Sequence, residues 1–145
     1  MNLNLLSVLG FMILLLAIAG MFLTQTLIGV SSLALAIQFM AIGLMIWSRL
    51  TFGMRSFHAS ARPTEGGIVT RGPYRYLRHP IYAAVLYVVW VGMLSHLSII
   101  PVILTIIATV GSFMRIIAEE RLLVEKYPEY TEYAAKTKRV IPFIL

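Results

Sequence analysis

"IYAAVLYVVWVGMLSHLSIIPVILTIIATVGSFMRIIA", residues 81–118, decides the fold. It is almost wholly apolar and about twice the ~20 residues that an α-helix needs to cross a hydrocarbon core of ~30 Å. "SHLSIIP", 95–101, puts a polar turn and a proline in its middle, so the stretch reads as a helical hairpin that leaves and returns on one side. The hairpin therefore sets the residues before it, Arg78, His79 and Tyr82, beside those that end it, Arg115, Glu119 and Glu120.

Two further spans precede the hairpin. Residues 3–23 and 30–48 are each long enough and apolar enough to cross, and the "TQTLIG" between them carries no charge. "MNLNLL" has no basic residue, so the first segment reads as a retained helix rather than a cleaved leader. The expectation is an all-α integral membrane protein of one domain. It has four transmembrane helices at about 3–23, 30–48, 81–96 and 99–118, a polar loop at 49–80, and a C-terminal interfacial cap at 119–145. A hydrophobic fraction of 59% with only 12% charged residues excludes an ordinary soluble domain.

Charge gives the orientation. Arg49, Arg55, Arg62, Arg71, Arg75 and Arg78 lie between spans two and three, and six more basic residues run from Arg115 to Arg139. Neither short turn, 24–29 nor 95–100, contains Lys or Arg, so both termini and the charged end are expected at the cytoplasmic face. The net charge of +6 sits where anionic lipid headgroups attract it. Nucleic acid is excluded as a partner, because the basic residues flank spans and no soluble recognition module presents them. With no cysteine there is no disulfide, no thiolate nucleophile and no Cys-based metal centre, and no metal is expected.

Chemistry concentrates at the hairpin's open end. Pro80 suits the first turn of a helix and pushes His79 toward extended backbone. The free amides of that turn, at the positive end of the helix dipole, can seat a carboxylate or phosphate. All six carboxylates are Glu, and five fall between Glu119 and Glu132. Neighbours on a helix point about 100° apart, so Glu119 and Glu120 are not both expected to face one pocket. Pro128 is expected to start a short helix whose Tyr130 and Tyr133 share a face, and which lies over the pocket as a cap. Tyr74 and Arg71 read as membrane rim, Gln38 as an interhelical hydrogen bond, His96 as structural, His58 as an exposed loop residue, and Gly66-Gly67 as a turn.

"GIVTRGPYRYLRHPIYAA" followed by "EERLLVEKYPEYTEYAAKTKRVIP" resembles the isoprenylcysteine carboxyl methyltransferase family and the wider membrane methyltransferases that include phospholipid N-methyltransferases. Arg-His-Pro-x-Tyr and Glu-Glu-x-x-Leu, in this order and separated by a two-span hairpin, carry the resemblance. It implies an S-adenosylmethionine-dependent enzyme that releases S-adenosylhomocysteine, with its site at the cytoplasmic end of the helices. Arg78, Glu119 and Glu120 would be catalytic. Arg78, His79, Pro80, Tyr82, Glu119, Glu120 and Tyr130 would hold or shape the cofactor. Tyr133 and a basic residue would face a lipophilic or prenylated substrate drawn from the bilayer; counting from Tyr133 selects Lys136, with Arg139 as the alternative. Ala84 stands where many relatives have glycine, and "YPEY" replaces their Phe-Gly-Glu.

Prenylcysteine-type carboxyl methylation is the expected activity. Methylation of a phospholipid or another lipophilic amine or thiol is the alternative within the same chemistry. A sterol-reductase-like enzyme using reduced nicotinamide dinucleotide phosphate, and a non-catalytic membrane adaptor, are the readings from other classes.

Overall fold

A computed structural model of the chain describes residues 2–53, 67–142 and 144. Arg55, His58, Arg62 and Gly66 lie outside them. Five α-helices follow in order: α1 (Leu3–Leu23), α2 (Ser32–Phe52), α3 (Pro80–Ser95), α4 (Ile99–Lys126) and α5 (Tyr130–Lys136), with a 3-10 turn at Gly72–Arg75 before α3. Polar caps start the first two: the Asn2 side chain accepts from the Asn4 amide at 3.0 Å, and Ser31 from the Ala34 amide at 3.1 Å. Helices α1, α2 and α4 are long and apolar enough to cross a membrane, whereas α3, with 16 residues, is shorter.

The principal contacts run in a row, α2 against α3, α3 against α4, and α4 against α1. Helix α1 buries Ser7, Gly10, Leu14, Ala17 and Met21, spaced three or four apart, which is one helical stripe. Small residues in it allow close backbone approach. A Cβ on Gly10 would lie 2.6 Å from the Gly111 carbonyl oxygen, and one on Gly111 would lie 2.7 Å from that of Gly10. Outward faces are apolar, with Leu16, Phe39 and Leu50 all largely exposed, as lipid-facing surfaces are.

A polar clasp joins α2 to α3 near their turn-side ends. Gln38 Oε1 accepts from the Gly29 amide at 2.9 Å, while its Nε2 donates to the carbonyls of Leu27 at 2.8 Å and Val88 at 3.0 Å. This is the interhelical role expected of Gln38. His96 Nε2 lies 2.8 Å from the Ile28 carbonyl, tying the two turns together.

Several boundaries differ from the hydropathy reading. Helix α2 runs on to Phe52, and α4 continues past residue 118 to Lys126, so the first residues assigned to the cap belong to the helix. "EERLLVEK" contains good helix formers and no breaker until Tyr127-Pro128, and hydropathy reports immersion rather than helix length. Pro128 sits in a turn in which the Tyr130 amide bonds the Tyr127 carbonyl, so α5 starts two residues later than expected. Tyr74 is not at a rim: it is 5% exposed and packs against Phe52, ring centroids 5.5 Å apart. The 3-10 turn folds it inward against α2.

Candidate active site

Pro80 occupies the first turn of α3, and His79 is the N-cap residue, with φ −126° and no side-chain capping bond. Residues 137–140 run beside 76–79 as a short parallel pairing centred on Leu77 and Lys138. The Arg78 amide donates to the Lys138 carbonyl at 2.7 Å, the His79 amide to the Arg139 carbonyl at 3.0 Å, and the Lys138 amide to the Tyr76 carbonyl at 3.2 Å. Val140 is fully buried in a cluster with Leu77, Ala83, Leu86 and Ile116, and its carbonyl accepts from the Tyr87 hydroxyl at 2.5 Å. The segment is thus a fixed wall.

On this frame the two glutamates grip His79 from opposite ring nitrogens. Glu120 Oε1 lies 3.3 Å from His79 Nε2 and 3.0 Å from Arg78 Nε, while its Oε2 accepts from Arg139 Nε and Nη2, both at 3.0 Å. Glu119 Oε2 lies 3.7 Å from His79 Nδ1. Its Oε1 accepts from the Tyr82 hydroxyl at 2.5 Å and from Arg115 Nη2 at 3.2 Å. Arg115 Nε donates to the Tyr82 oxygen at 2.5 Å, and its guanidinium lies over the Phe11 ring, 4.8 Å from the centroid. Arg78 Nη1 donates to the Ala134 carbonyl and, at 3.2 Å, to that of Thr137.

Glu120, with Arg78, Arg121, Val124, Tyr130 and Arg139, lines an open cleft of about 450 Å³, within the usual small-molecule range. Glu119 does not line it; as the helical spacing requires, it turns the other way, into the contact between α3 and α4. It does not point away unpartnered. Four predicted residues, Arg78, Glu120, Tyr130 and Arg139, border the cleft, and His79, Pro80, Tyr82 and Glu119 form the layer behind. Tyr133 donates to the Tyr74 carbonyl at 2.6 Å and is not among the lining residues. Lys136 is exposed and paired with Glu132 at 2.5 Å, so of the two basic candidates Arg139 is the one at the cleft.

The tyrosines stay neutral donors: burial pushes Tyr130 well up and Tyr133 up to about 12. The bond to Glu120 raises Arg139 and holds it charged. Sequence reasoning places Arg115 beside Arg78, His79 and Tyr82 without giving it a role, and leaves out Arg121 and Ala134. A buried arginine in an apolar helix was a usable signal for Arg115; Ala134, which contributes a backbone carbonyl, left none.

Fold and site define a helical membrane protein with an ion-paired cleft at one end of its hairpin. The phospholipid methyltransferase family matches residues 24–130, and the chain belongs to that family of membrane methyltransferases. The match covers α2 to α4 and stops at Tyr130, before the wall that carries Arg139. The chain is also 28% identical, over 114 residues, to the cobalt-zinc-cadmium resistance protein CzcN of Cupriavidus metallidurans. That alignment covers 78% of this chain and 51% of the relative, so the chain spans about half the length of the curated relative it matches. No solved structure matches.

Proposed function

We propose that the protein transfers a methyl group from S-adenosylmethionine to a lipophilic acceptor in the bilayer, with a prenylcysteine-type carboxylate as the acceptor. The observation that carries this reading is the Arg78–Glu120–Arg139 ion-pair cluster lining a cleft in a member of a methyltransferase family. The donor set fits the cofactor: carboxylates suit its ammonium, and guanidiniums suit its carboxylate. When bound, the cofactor supplies a methyl carbon already activated by a sulfonium.

The chain's own residues then have three tasks. Arg78, Glu120 and Tyr130 bind and orient at the cleft, and His79, Pro80, Tyr82 and Glu119 hold them in place. Together they keep donor and acceptor in line, where positioning supplies much of the acceleration. Glu120 is committed to Arg78, His79 and Arg139, which makes it a poor proton acceptor. An acceptor that needs no base, a carboxylate turned by Arg139, therefore suits the site better than an amine. Phospholipid amine methylation is the second reading, favoured by the family's description.

In the membrane we place four spans with both termini and the cleft at the cytoplasmic face. Arg49, Arg78, Arg115 and Arg139 gather at that end, and the opposite turns carry no Lys or Arg. Helix α3 covers about 24 Å at 1.5 Å per residue, so this topology sinks the start of α3 toward the lipid, where an acceptor enters sideways.

Calorimetric titration of the purified protein with S-adenosylhomocysteine tests the reading, followed by labelled methyl transfer to prenylcysteines and phospholipids. Binding with transfer to a prenylcysteine carboxylate is expected. Binding of reduced nicotinamide dinucleotide phosphate instead would establish a reductase, and binding of neither would leave an adaptor.

A further inference from the structure

Residues 99–118 of α4 hold one charged side chain, Arg115, and it is 4% exposed. A guanidinium set into an apolar span is costly, so what it holds there is informative. It touches three helices. Its guanidinium carbon lies 4.8 Å from the centroid of the Phe11 ring on α1, Nε donates to the Tyr82 oxygen on α3 at 2.5 Å, and Nη2 donates to Glu119 Oε1 on α4 itself at 3.2 Å. The family match begins at residue 24, so α1 and Phe11 lie outside it.

Interhelical glue accounts for these contacts only as far as Glu119. The Tyr82 hydroxyl donates to the same oxygen, Oε1, at 2.5 Å, so one edge of the carboxylate is pinned by two donors. Its other oxygen is left 3.7 Å from His79 Nδ1, beyond hydrogen-bond reach, while the far side of the ring meets Glu120 at 3.3 Å. The His79 amide is fixed to the Arg139 carbonyl at 3.0 Å, so the ring moves only by turning about its own side-chain torsions. Without Arg115, the Glu119 carboxylate is free to close on Nδ1 and draw the ring off Glu120. We infer that Arg115, braced by Phe11, is a positioning residue that sets the His79 ring toward Glu120 through Tyr82 and Glu119, and that α1 is thereby part of the site. The inference rests on the methyltransferase reading for what binds at the cleft, but not for the placement of the ring.

The chain has three histidines, so nitrogen-15 labelling of histidine gives a direct view of the ring in the ligand-free protein by nuclear magnetic resonance. His79→Asn identifies the His79 signals by their loss, and His96, beside the Ile28 carbonyl at the opposite turns, is the internal control. In Arg115→Gln the His79 signals should move and those of His96 should stay; Phe11→Leu should move the same signals less. S-adenosylhomocysteine affinity should fall about tenfold in the first variant, which loses the hydrogen bonds that pin Tyr82 and Glu119. It should fall about threefold in the second, the size of one cation–π contact. A lower Tm with wild-type His79 signals and wild-type affinity shows glue alone and overturns the inference. Movement of His96 together with His79 in Arg115→Gln marks a general loosening of the helices; Phe11→Leu, which keeps an apolar side chain, then decides, and unmoved His79 signals there overturn the inference. A wild-type protein that binds no S-adenosylhomocysteine breaks the methyltransferase reading itself, and the His79 signals still decide the placement of the ring.

Discussion

Gln38 and Glu120 both tie neighbouring helices together through polar bonds, toward opposite ends of the molecule. Around Gln38 the side-chain amide meets three backbone groups, and both its oxygen and its nitrogen are used. Around Glu120 a carboxylate meets Arg78, Arg139 and the His79 ring, and the Tyr130 hydroxyl beside it at the cleft has no hydrogen-bond partner. The first arrangement uses every polar atom of its central side chain; the second leaves a neighbouring hydroxyl unused. A buried polar cluster that satisfies itself holds the fold, and on the proposed function the cluster at the cleft is the one that meets a ligand.

Breaking the second cluster has the largest expected effect. Glu120→Gln removes the charge shared by Arg78, His79 and Arg139, and should lower S-adenosylhomocysteine affinity at least about 100-fold and stability by about 3 kcal/mol. Titration calorimetry and thermal unfolding measure both, and wild-type affinity in this variant would erase the contrast. Gln38→Leu should do the reverse. It leaves the Gly29 amide and the Leu27 and Val88 carbonyls without their partner, at about 2 kcal/mol, while cofactor affinity stays within about twofold. A large affinity loss here would mean the two ends are coupled.

Smaller changes sharpen the same contrast. Tyr133→Phe removes the bond to the Tyr74 carbonyl and should cost about 1 kcal/mol in denaturant unfolding, with little change in affinity. Lys136→Ala should leave both Tm and acceptor KM unchanged, because the Lys136–Glu132 pair is fully exposed. The hydrogen bond from Lys136 holds the Glu132 carboxyl below its usual range, so any contribution is present at neutral pH and lost on acidification. A raised KM in Lys136→Ala would restore it as the substrate-facing residue in place of Arg139.

The hairpin and its consequence were readable before any coordinates. An apolar run with a polar turn at its centre forces Arg78, His79 and Tyr82 toward Arg115, Glu119 and Glu120, and the contacts among these side chains follow. Helix ends were less readable, because the polar tail of α4 leaves the apolar run without leaving the helix. Tyr74 looked like an interfacial aromatic because its burial depends on α2, far away in sequence. The wall at 137–140 left no local signal at all. Its pairing with 76–79 is made of backbone amides and carbonyls, which every residue but proline possesses, so no side-chain pattern announces it.

That wall also sets an order of events during synthesis. Residues 137–140 follow the apolar helices α1 to α4, so those helices are made before the stretch that pairs with 76–79. Until Val140 seats beneath Leu77, Arg139 is not beside Glu120, and Arg78 lacks the Thr137 carbonyl. On the proposed function, a polypeptide released before residue 137 would therefore carry the helices without the wall that brings Arg139 to Glu120.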